Sequence, residues 1–352
     1  MKNLARVSFA LLALTLASIS VAQDKRRNEK PLVLESQGSF FVGGETKSLA
    51  APAGARGGFG AGDITINQMY VQYQIPPNGD RHVPVVMVHG CCLSSKTWET
   101  TPDGRMGWNE YFVRKDRSVY LADQSSRARS GFDPSLFIAV RGGTATPNQL
   151  PNILAASHQT AWTVFRFGPS FNTPFPDGQF PIEAVGELYK QMIPDLNSTL
   201  PNPNPTWKNM AALAVQLKGA ILMGHSESGF FPEQAALIDA SGVKGIISIE
   251  MPCATLTAPQ ISALSKIPIL IMFGDHLSDV QGGPANWGTS FDGCQQFVQQ
   301  VKSSGGDAEM MHLPKMGIRG NSHMLMQDKN NLQLADLILE WIDKHVEGKR
   351  RK

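Results

Sequence analysis

The chain contains the segment Ala220-Ile221-Leu222-Met223-Gly224-His225-Ser226-Glu227-Ser228-Gly229. Four apolar residues that predict a buried strand lead into a serine flanked by small residues, and residues 230–240 then predict a helix with Pro232 in its first turn. This order is the sequence form of a nucleophile elbow, in which the residues two before and two after the serine must be small. Ser228 stands where glycine is usual. The segment could therefore instead be an ordinary strand, turn and helix in which the serine only caps the helix.

Alternating strands and helices surround this segment on both sides. The predicted strands are residues 32–42, 64–75, 83–88, 118–122, 220–223, 245–249, 268–273 and 308–312, and the predicted helices are residues 107–114, 207–217, 230–240, 291–301 and 331–346. The first two strands are expected to be antiparallel, and the later alternation predicts a mostly parallel sheet with helices on both faces. Functional groups in such sheets gather at the carboxyl ends of the strands.

One long segment interrupts the alternation. Residues 132–205 are rich in Pro, Asn, Gly and aromatic side chains, and they are too long for a plain connection inside a compact domain. We predict a cap-like insertion that covers a pocket, because aromatic side chains need a surface to pack against. The predicted organisation is a signal peptide at residues 1–22, a first core part at 23–131, the insertion at 132–205 and a second core part at 206–352.

The amino terminus predicts export. Lys2 and Arg6 precede a short apolar run that ends in Ser20-Val21-Ala22, which is the pattern of a signal peptide cleaved after Ala22. Its removal lowers the formal net charge from +2 to 0, because two basic residues and no acidic residue are lost. A neutral chain has no electrostatic attraction to nucleic acid or to a membrane surface. We therefore expect a secreted or periplasmic protein that binds neither, and a homodimer is left open.

A serine nucleophile needs a base and an acid, and candidates for both follow Ser226 in the chain. His323 lies in a loop of small residues before the last helix and is favoured as the base over His276 and His312. The residue that serves as the acid is undecided at this point. Glu250 ends the strand after the elbow helix, and two aspartates later in the chain are the alternatives. Those are Asp275 and Asp279.

Acyl-transfer sites also need an oxyanion hole, and the sequence contains a candidate for it. His89-Gly90-Cys91-Cys92 follows an apolar strand, where this fold places one oxyanion-hole amide, and the other amide belongs to the residue after the nucleophile. This assigns the backbone N–H groups of Cys91 and Glu227. No metal or organic cofactor is required by such chemistry.

Four cysteines in an exported chain favour disulfides. Adjacent Cα atoms lie only ~3.8 Å apart, which is below the usual disulfide spacing of ~4.4–6.8 Å, so a Cys91–Cys92 bond would close a small strained ring. Four cysteines allow three pairings, and both could instead pair elsewhere. If Cys91 bonds to Cys92, Cys253 is left for Cys294.

These segments together resemble a small family of exported bacterial α/β-hydrolase esterases, from about Gly38 to the last helix. The residues that carry the resemblance are His89-Gly90-Cys91-Cys92-Leu93, Gly107-Trp108 with Tyr111-Phe112, Val119-Tyr120-Leu121-Ala122-Asp123-Gln124, Gly224-His225-Ser226 and Asn321-Ser322-His323-Met324. The resemblance implies an α/β-hydrolase fold and a triad of Ser226, Glu250 and His323. It also implies disulfides Cys91–Cys92 and Cys253–Cys294, the first of them in the oxyanion loop.

The predicted function is a serine carboxylic-ester hydrolase that forms an acyl-enzyme on small or aromatic esters. The aromatic insertion is the reason for expecting such substrates. A lactonase or an amidase would use the same triad, and a catalytically silent hydrolase fold that binds a ligand is the alternative from another class.

Overall fold

The computed structural model describes residues 30–51, 61–253, 255–280 and 286–348. The signal peptide predicted at residues 1–22 lies outside the described residues. No helix in the described part of the chain is long and apolar enough to cross a membrane.

One sheet of eight strands organises the described residues. The strands are β1 Ser36–Leu49, β2 Gly62–Ile75, β3 Val85–Val88, β4 Val119–Asp123, β5 Ala220–His225, β6 Val243–Ile249, β7 Ile269–Phe273 and β8 Ala308–His312. Their order across the sheet is β1-β2-β4-β3-β5-β6-β7-β8. β2 pairs antiparallel with β1 and β4, and the remaining neighbours are parallel. The predicted mostly parallel sheet is confirmed.

Helices cover both faces of this sheet. They are α1 Trp108–Arg114, α2 Ser135–Arg141, α3 His158–Val164, α4 Val185–Gln191, α5 Pro205–Gln216, α6 Phe231–Ile238, α7 Ala258–Leu264, α8 Trp287–Ser303 and α9 Asn331–His345. α5, α6, α7 and α8 pack into one hydrophobic core. α1, α3, α4 and α9 pack into a second core on the opposite face.

β3 shows why the sequences of the central strands are continuous runs of apolar residues. Val86 and Val88 point into the first core, whereas Val85 and Met87 point into the second. All four side chains are buried, because successive residues of a strand face opposite sides and both sides are covered. The sheet is therefore the rigid centre of the domain, and its carboxyl edge is left for polar residues.

Several elements differ from those expected from the sequence: α2, α3 and α4 lie where no helix is predicted, and α8 begins at Trp287, four residues before its predicted start. β1 and β2 are each 14 residues long and form a longer hairpin than the patterns at residues 32–42 and 64–75 indicate. α7 was not expected, although Thr257 and Gln260 form a capping box at its start. Its seven residues are too few to give a clear helical period.

The segment between β4 and α5, which contains all of the predicted insertion except Pro205, packs against the carboxyl edge of the sheet. It carries α2, α3 and α4, and its side chains Trp162, Phe165, Phe167 and Phe180 are buried. Its backbone reaches the loops after β3 and β8, since the Ile193 N–H donates to the Cys92 carbonyl at 2.9 Å and the Phe165 carbonyl accepts from the His323 N–H at 2.9 Å. The domain boundaries given above stay a prediction.

A disulfide joins Cys253, in the loop after β6, to Cys294 in α8, and it closes a loop of 41 residues. Replacing both residues with alanine is expected to lower the free energy of unfolding by about 4 kcal/mol, because the unfolded chain gains loop entropy. Denaturant unfolding of the double variant measures this loss. Reduced wild-type protein should lose a similar amount, and equal unfolding midpoints with and without reductant would contradict the prediction.

Candidate active site

Ser226 lies at the turn between β5 and α6. Its φ angle is +55°, and a short 3-10 turn over Ser226–Phe230 leads into the helix. A positive φ at a non-glycine residue is uncommon and is held only where the surroundings enforce it. The strained turn that the sequence predicts at Ser226 is therefore present.

Ser228 has a specific role in this turn. Its hydroxyl accepts a hydrogen bond from the His225 N–H at 3.0 Å and donates one to the Val88 carbonyl at 2.9 Å. The hydroxyl thus ties the turn to the end of β3, which a glycine at this position could not do. Ser228 is a structural link between the elbow and the neighbouring strand.

Two glycines leave room for the elbow. A Cβ at Gly224 would lie 2.0 Å from the Ser228 carbonyl oxygen, and a Cβ at Gly90 would lie 2.7 Å from the Ser226 Cβ. Backbone cannot yield at such distances without distorting the turn. Gly90 therefore fixes how closely the loop after β3 approaches Ser226.

Of the three candidate histidines, His323 is the one that the fold brings next to His225, the residue before Ser226. Its ring lies 4.7 Å, centroid to centroid, from that of His225, and its carbonyl contacts the His225 Nε2 at 2.9 Å. Its Nδ1 lies 3.1 Å from the Glu250 Oε2. Its Nε2 is buried and has no hydrogen-bond partner among the described residues. Catalytic hydrogen bonds are often unformed in unliganded sites, so this free nitrogen is compatible with a general base.

Glu250 follows β6 and is completely buried. Besides His323, its carboxylate accepts from the Gly274 N–H at 2.5 Å and from the Arg166 Nη2 at 2.6 Å. Burial opposes the ionisation of this carboxyl, but the Arg166 charge and the His323 hydrogen bond outweigh it and lower the pKa of Glu250 to about 2. Glu250 is therefore an anion at every pH at which the protein is expected to work.

Arg166 was missed by the sequence analysis. It follows α3, in the segment between β4 and α5, and it is buried with a φ of +56°. Its Nε donates to the Asp275 carbonyl at 2.8 Å, and its Nη1 lies 3.4 Å from the His323 Nδ1. No local pattern marks this arginine, because its partners lie 84 to 157 residues away along the chain.

The other candidate residues have different partners. His276 contacts Asp279 at 2.7 Å and Asp177 at 3.0 Å, and the ring of Phe175 stacks on it. The Asp275 carboxylate accepts from the N–H groups of His276 and Gly320. The structure thus brings Glu250, and not Asp275 or Asp279, to His323. His312 packs against the ring of Phe291.

The loop that carries His323 is held by a buried carboxylate, which the sequence analysis also missed. Asp328 accepts from the Ser322 hydroxyl at 2.6 Å, from the Ser322 N–H at 2.9 Å and from the Asn321 side chain at 2.8 Å. Burial raises the pKa of Asp328 to about 6. These bonds fix the two residues that precede His323.

The loop after β3 contains the adjacent cysteines. Both side chains are thiols in this structure, with their Sγ atoms 2.7 Å apart, and Cys92 has a φ of +60°. The loop is anchored through His89, whose carbonyl accepts from the Gln124 side chain at 2.7 Å. The Cys91–Cys92 bridge stays a prediction.

The Glu227 side chain belongs to a cluster of charged and polar residues formed by Gln124, Arg127, Asp195 and Asn197. It contacts Asn197, and it lies 3.3 Å from both the Gln124 Nε2 and the Arg127 Nη2. Arg127 also pairs with Asp195 at 2.7 Å. Burial raises the pKa of Glu227 to about 7, and the negative charge of Asp195 acts in the same direction. The sequence analysis assigned a role only to the amide of this residue.

Three groups of described residues bring at least three ligand-type atoms within 4.8 Å of one another. They are Cys91, Cys92 and Asp195; His82, Asp343 and Glu347; and Asp177, Asp275 and His276. Members of each group also have ion-pair partners among the described residues: Arg127 for Asp195, Arg117 for Glu347, and His276 for Asp177.

Comparison with known proteins bears on the fold and on the class of enzyme. No protein-family model matches the chain. A probable secreted lipase, phiG, of Fungal sp. (strain ATCC 74256) is 26% identical in an alignment of length 322 that covers 78% of this chain and 86% of that protein. The solved structure of a bacterial esterase is 44% identical, with a TM-score of 0.86, and the match covers 90% of this chain and 98% of that one.

The protein is a carboxylic-ester hydrolase with the α/β-hydrolase fold. It belongs to the same family as that bacterial esterase, because high identity extends over nearly the whole length of both chains. The predicted fold class and the predicted enzyme class are confirmed.

The contact between Gly90 and Ser226 can be tested directly. Gly90→Ala is expected to lower kcat/KM for an activated ester by about 10²-fold, because the added methyl group would displace the serine. Gly186→Ala is the matched control, since a Cβ there meets nothing within 4 Å and Gly186 lies on the exposed side of α4. Equal activity of the two variants would show that the loop after β3 does not constrain Ser226.

Proposed function

We propose that Ser226, His323 and Glu250 are the nucleophile, base and acid of this hydrolase. The observation that carries the proposal is the buried Glu250–His323 hydrogen bond, which leaves the His323 Nε2 unpartnered at the edge of the sheet where the strained Ser226 turn lies. The acid holds the imidazole through Nδ1, so that Nε2 is the nitrogen available to accept the serine proton.

The reaction begins when the Ser226 oxygen attacks the ester carbonyl carbon and its proton passes to the His323 Nε2. The former carbonyl oxygen then carries the negative charge. When the tetrahedral adduct collapses, its bond to the alcohol oxygen breaks, and that oxygen takes the proton from Nε2. Water repeats the sequence on the acylated serine, which releases the carboxylic acid and restores the free hydroxyl.

The backbone N–H groups of Cys91 and Glu227 are proposed to stabilise the oxyanion. Removing one such donor typically costs about 10²–10³ in rate. Two loop positions support this assignment. Cys91 directly follows Gly90, at which an added Cβ would lie 2.7 Å from the Ser226 Cβ, and Glu227 directly follows the nucleophile. Two hydrogen bonds hold the loop after β3 and the turn at Ser226 in place. They run from the Gln124 side chain to the His89 carbonyl and from the Ser228 hydroxyl to the Val88 carbonyl.

Small or aromatic esters are the proposed substrates. The rings of Phe165 and Trp287 flank the imidazole of His323, with centroids 5.7 and 4.2 Å away. Apolar surface beside the base suits an acyl or alcohol group of similar character. The name of the fungal relative, a lipase, agrees with an apolar ester.

Export is also proposed, with cleavage after Ala22 and a secreted or periplasmic destination. The signal-peptide pattern supports this, and the fungal relative is named as a secreted protein. An oxidising destination would favour a Cys91–Cys92 disulfide, which would stiffen the loop whose amide faces the oxyanion. No cofactor enters the proposed chemistry.

Ser226→Ala is expected to lower kcat for a p-nitrophenyl ester by at least about 10⁴-fold, because the covalent route is lost. Ser241→Ala, at an exposed serine, is the control and should keep full activity. A fluorophosphonate probe should label Ser226 in the wild type and leave the variant unlabelled. Retained hydrolysis, or labelling of another serine, would refute the nucleophile assignment. Rates on a matched ester, lactone and amide then define the preferred substrate.

The adjacent-cysteine bridge has its own test. Mass spectrometry of the exported, non-reduced protein is expected to show a peptide with Cys91 and Cys92 that is about 2 Da lighter than its reduced form, since one S–S bond replaces two S–H groups. A Cys91 peptide linked to Cys294, or an adjacent pair that alkylates fully without reductant, would exclude the bridge.

A further inference from the structure

Arg166 is a buried cation that contacts two members of the proposed triad, Glu250 and His323. It lies in the segment between β4 and α5, far along the chain from both of them. We propose that Arg166 is a positioning residue that holds Glu250 beside His323 and offsets the negative charge of Glu250 at the imidazole. This inference rests on the proposed roles of Glu250 and His323.

The geometry around Glu250 supports the first part of the proposal. The Arg166 Nη2 donates to Oε1 at 2.6 Å, and both side chains have no exposed surface. A second bond, from the Arg166 Nε to the Asp275 carbonyl at 2.8 Å, fixes the guanidinium to the loop after β7. The Gly274 N–H approaches the same oxygen, so Oε2 is left for His323. The fork of the guanidinium therefore sets which carboxylate oxygen faces the imidazole.

The geometry around His323 supports the second part. The Arg166 Nη1 lies 3.4 Å from the His323 Nδ1, which already contacts Glu250 at 3.1 Å. A guanidinium has no acceptor, so a protonated Nδ1 and Nη1 face each other as two donors. The approach therefore places a positive charge next to the imidazole, and this charge opposes formation of the imidazolium cation.

Other ionisable groups near His323 contribute less. Burial keeps the pKa of His225 well below its usual value, so that its ring is neutral. The Asp275 carboxylate faces two backbone N–H groups, and Asp328 faces Ser322 and Asn321. His312 lies against Phe291. Glu250 and Arg166 are the charges that act on His323.

A triad with an unbalanced carboxylate favours the imidazolium, and the base then needs a higher pH to lose its proton. Here the carboxylate is balanced by Arg166. Burial lowers the pKa of His323 below its usual value, the hydrogen bond and charge of Glu250 raise it, and the charge of Arg166 lowers it. The base is therefore free at mildly acidic pH, and the rising acid limb of kcat/KM should lie below pH 6.5.

The test compares the pH profiles of kcat/KM on p-nitrophenyl acetate. Arg166→Gln removes the charge, so the acid limb is expected to move to higher pH by about one unit or more. Arg166→Lys keeps the positive charge but loses the two-pronged hydrogen bonding of the guanidinium. The acid limb of its kcat/KM profile should therefore stay at the wild-type pH, while the maximum value of kcat/KM falls. Arg141→Gln, on the exposed side of α2 in the same segment, is the control. An unmoved limb in folded Arg166→Gln would overturn the proposal.

A second variant covers the case in which Arg166→Gln does not fold. Arg166→Met combined with Glu250→Gln removes both charges and leaves no unpaired ion in the interior. If the two charges offset each other, NMR titration should give His323 a pKa within about half a unit of the wild-type value. A fall of more than about one unit would show that Arg166 does not balance Glu250. Fluorophosphonate labelling of wild-type Ser226 reports separately on the triad itself.

Discussion

The buried ion pair between Arg166 and Glu250 is the constraint around which this edge of the sheet is arranged. A carboxylate with no exposed surface is stable as an anion only when charge and hydrogen bonds replace water. Removing one partner of such a pair typically costs about 3–5 kcal/mol. The loops after β6, β7 and β8 and the residues after α3 all meet at this pair, so its integrity decides whether His323 has a defined orientation.

Charge is balanced on both sides of the Ser226 turn, and the segment between β4 and α5 contributes to each side. It supplies a cation, Arg166, to a carboxylate of the core, and its carboxylate Asp195 pairs with Arg127, which lies just after β4 and before residue 132. Glu227 belongs to the second arrangement, since it lies 3.3 Å from the Arg127 Nη2, and burial raises its pKa to about 7. The segment is thus part of the electrostatic structure of the site as well as a cover over it.

The parts of this arrangement that sequence could predict are those with a local signature. The strands near the elbow have continuous apolar runs, and the turn at Ser226 has small neighbours, so both were recognisable. Position alone left the acid open, and the resemblance to known esterases favoured Glu250, which contacts His323 in the structure. Arg166 and Asp328 have no such signature, because their function depends on partners that only the folded chain brings near. The catalytic roles themselves stay predictions.

The position of Arg166 has a consequence for how this enzyme can change over time or by design. A chimera that exchanged residues 132–205 for the shorter connection of another hydrolase would remove Arg166 and Asp195 together. The core would then retain a buried anion at Glu250 without its cation, and Arg127 would keep only its longer contact with Glu227, at 3.3 Å. Such an exchange needs compensating neutral residues in the core, so the segment and the sheet are expected to evolve as one unit.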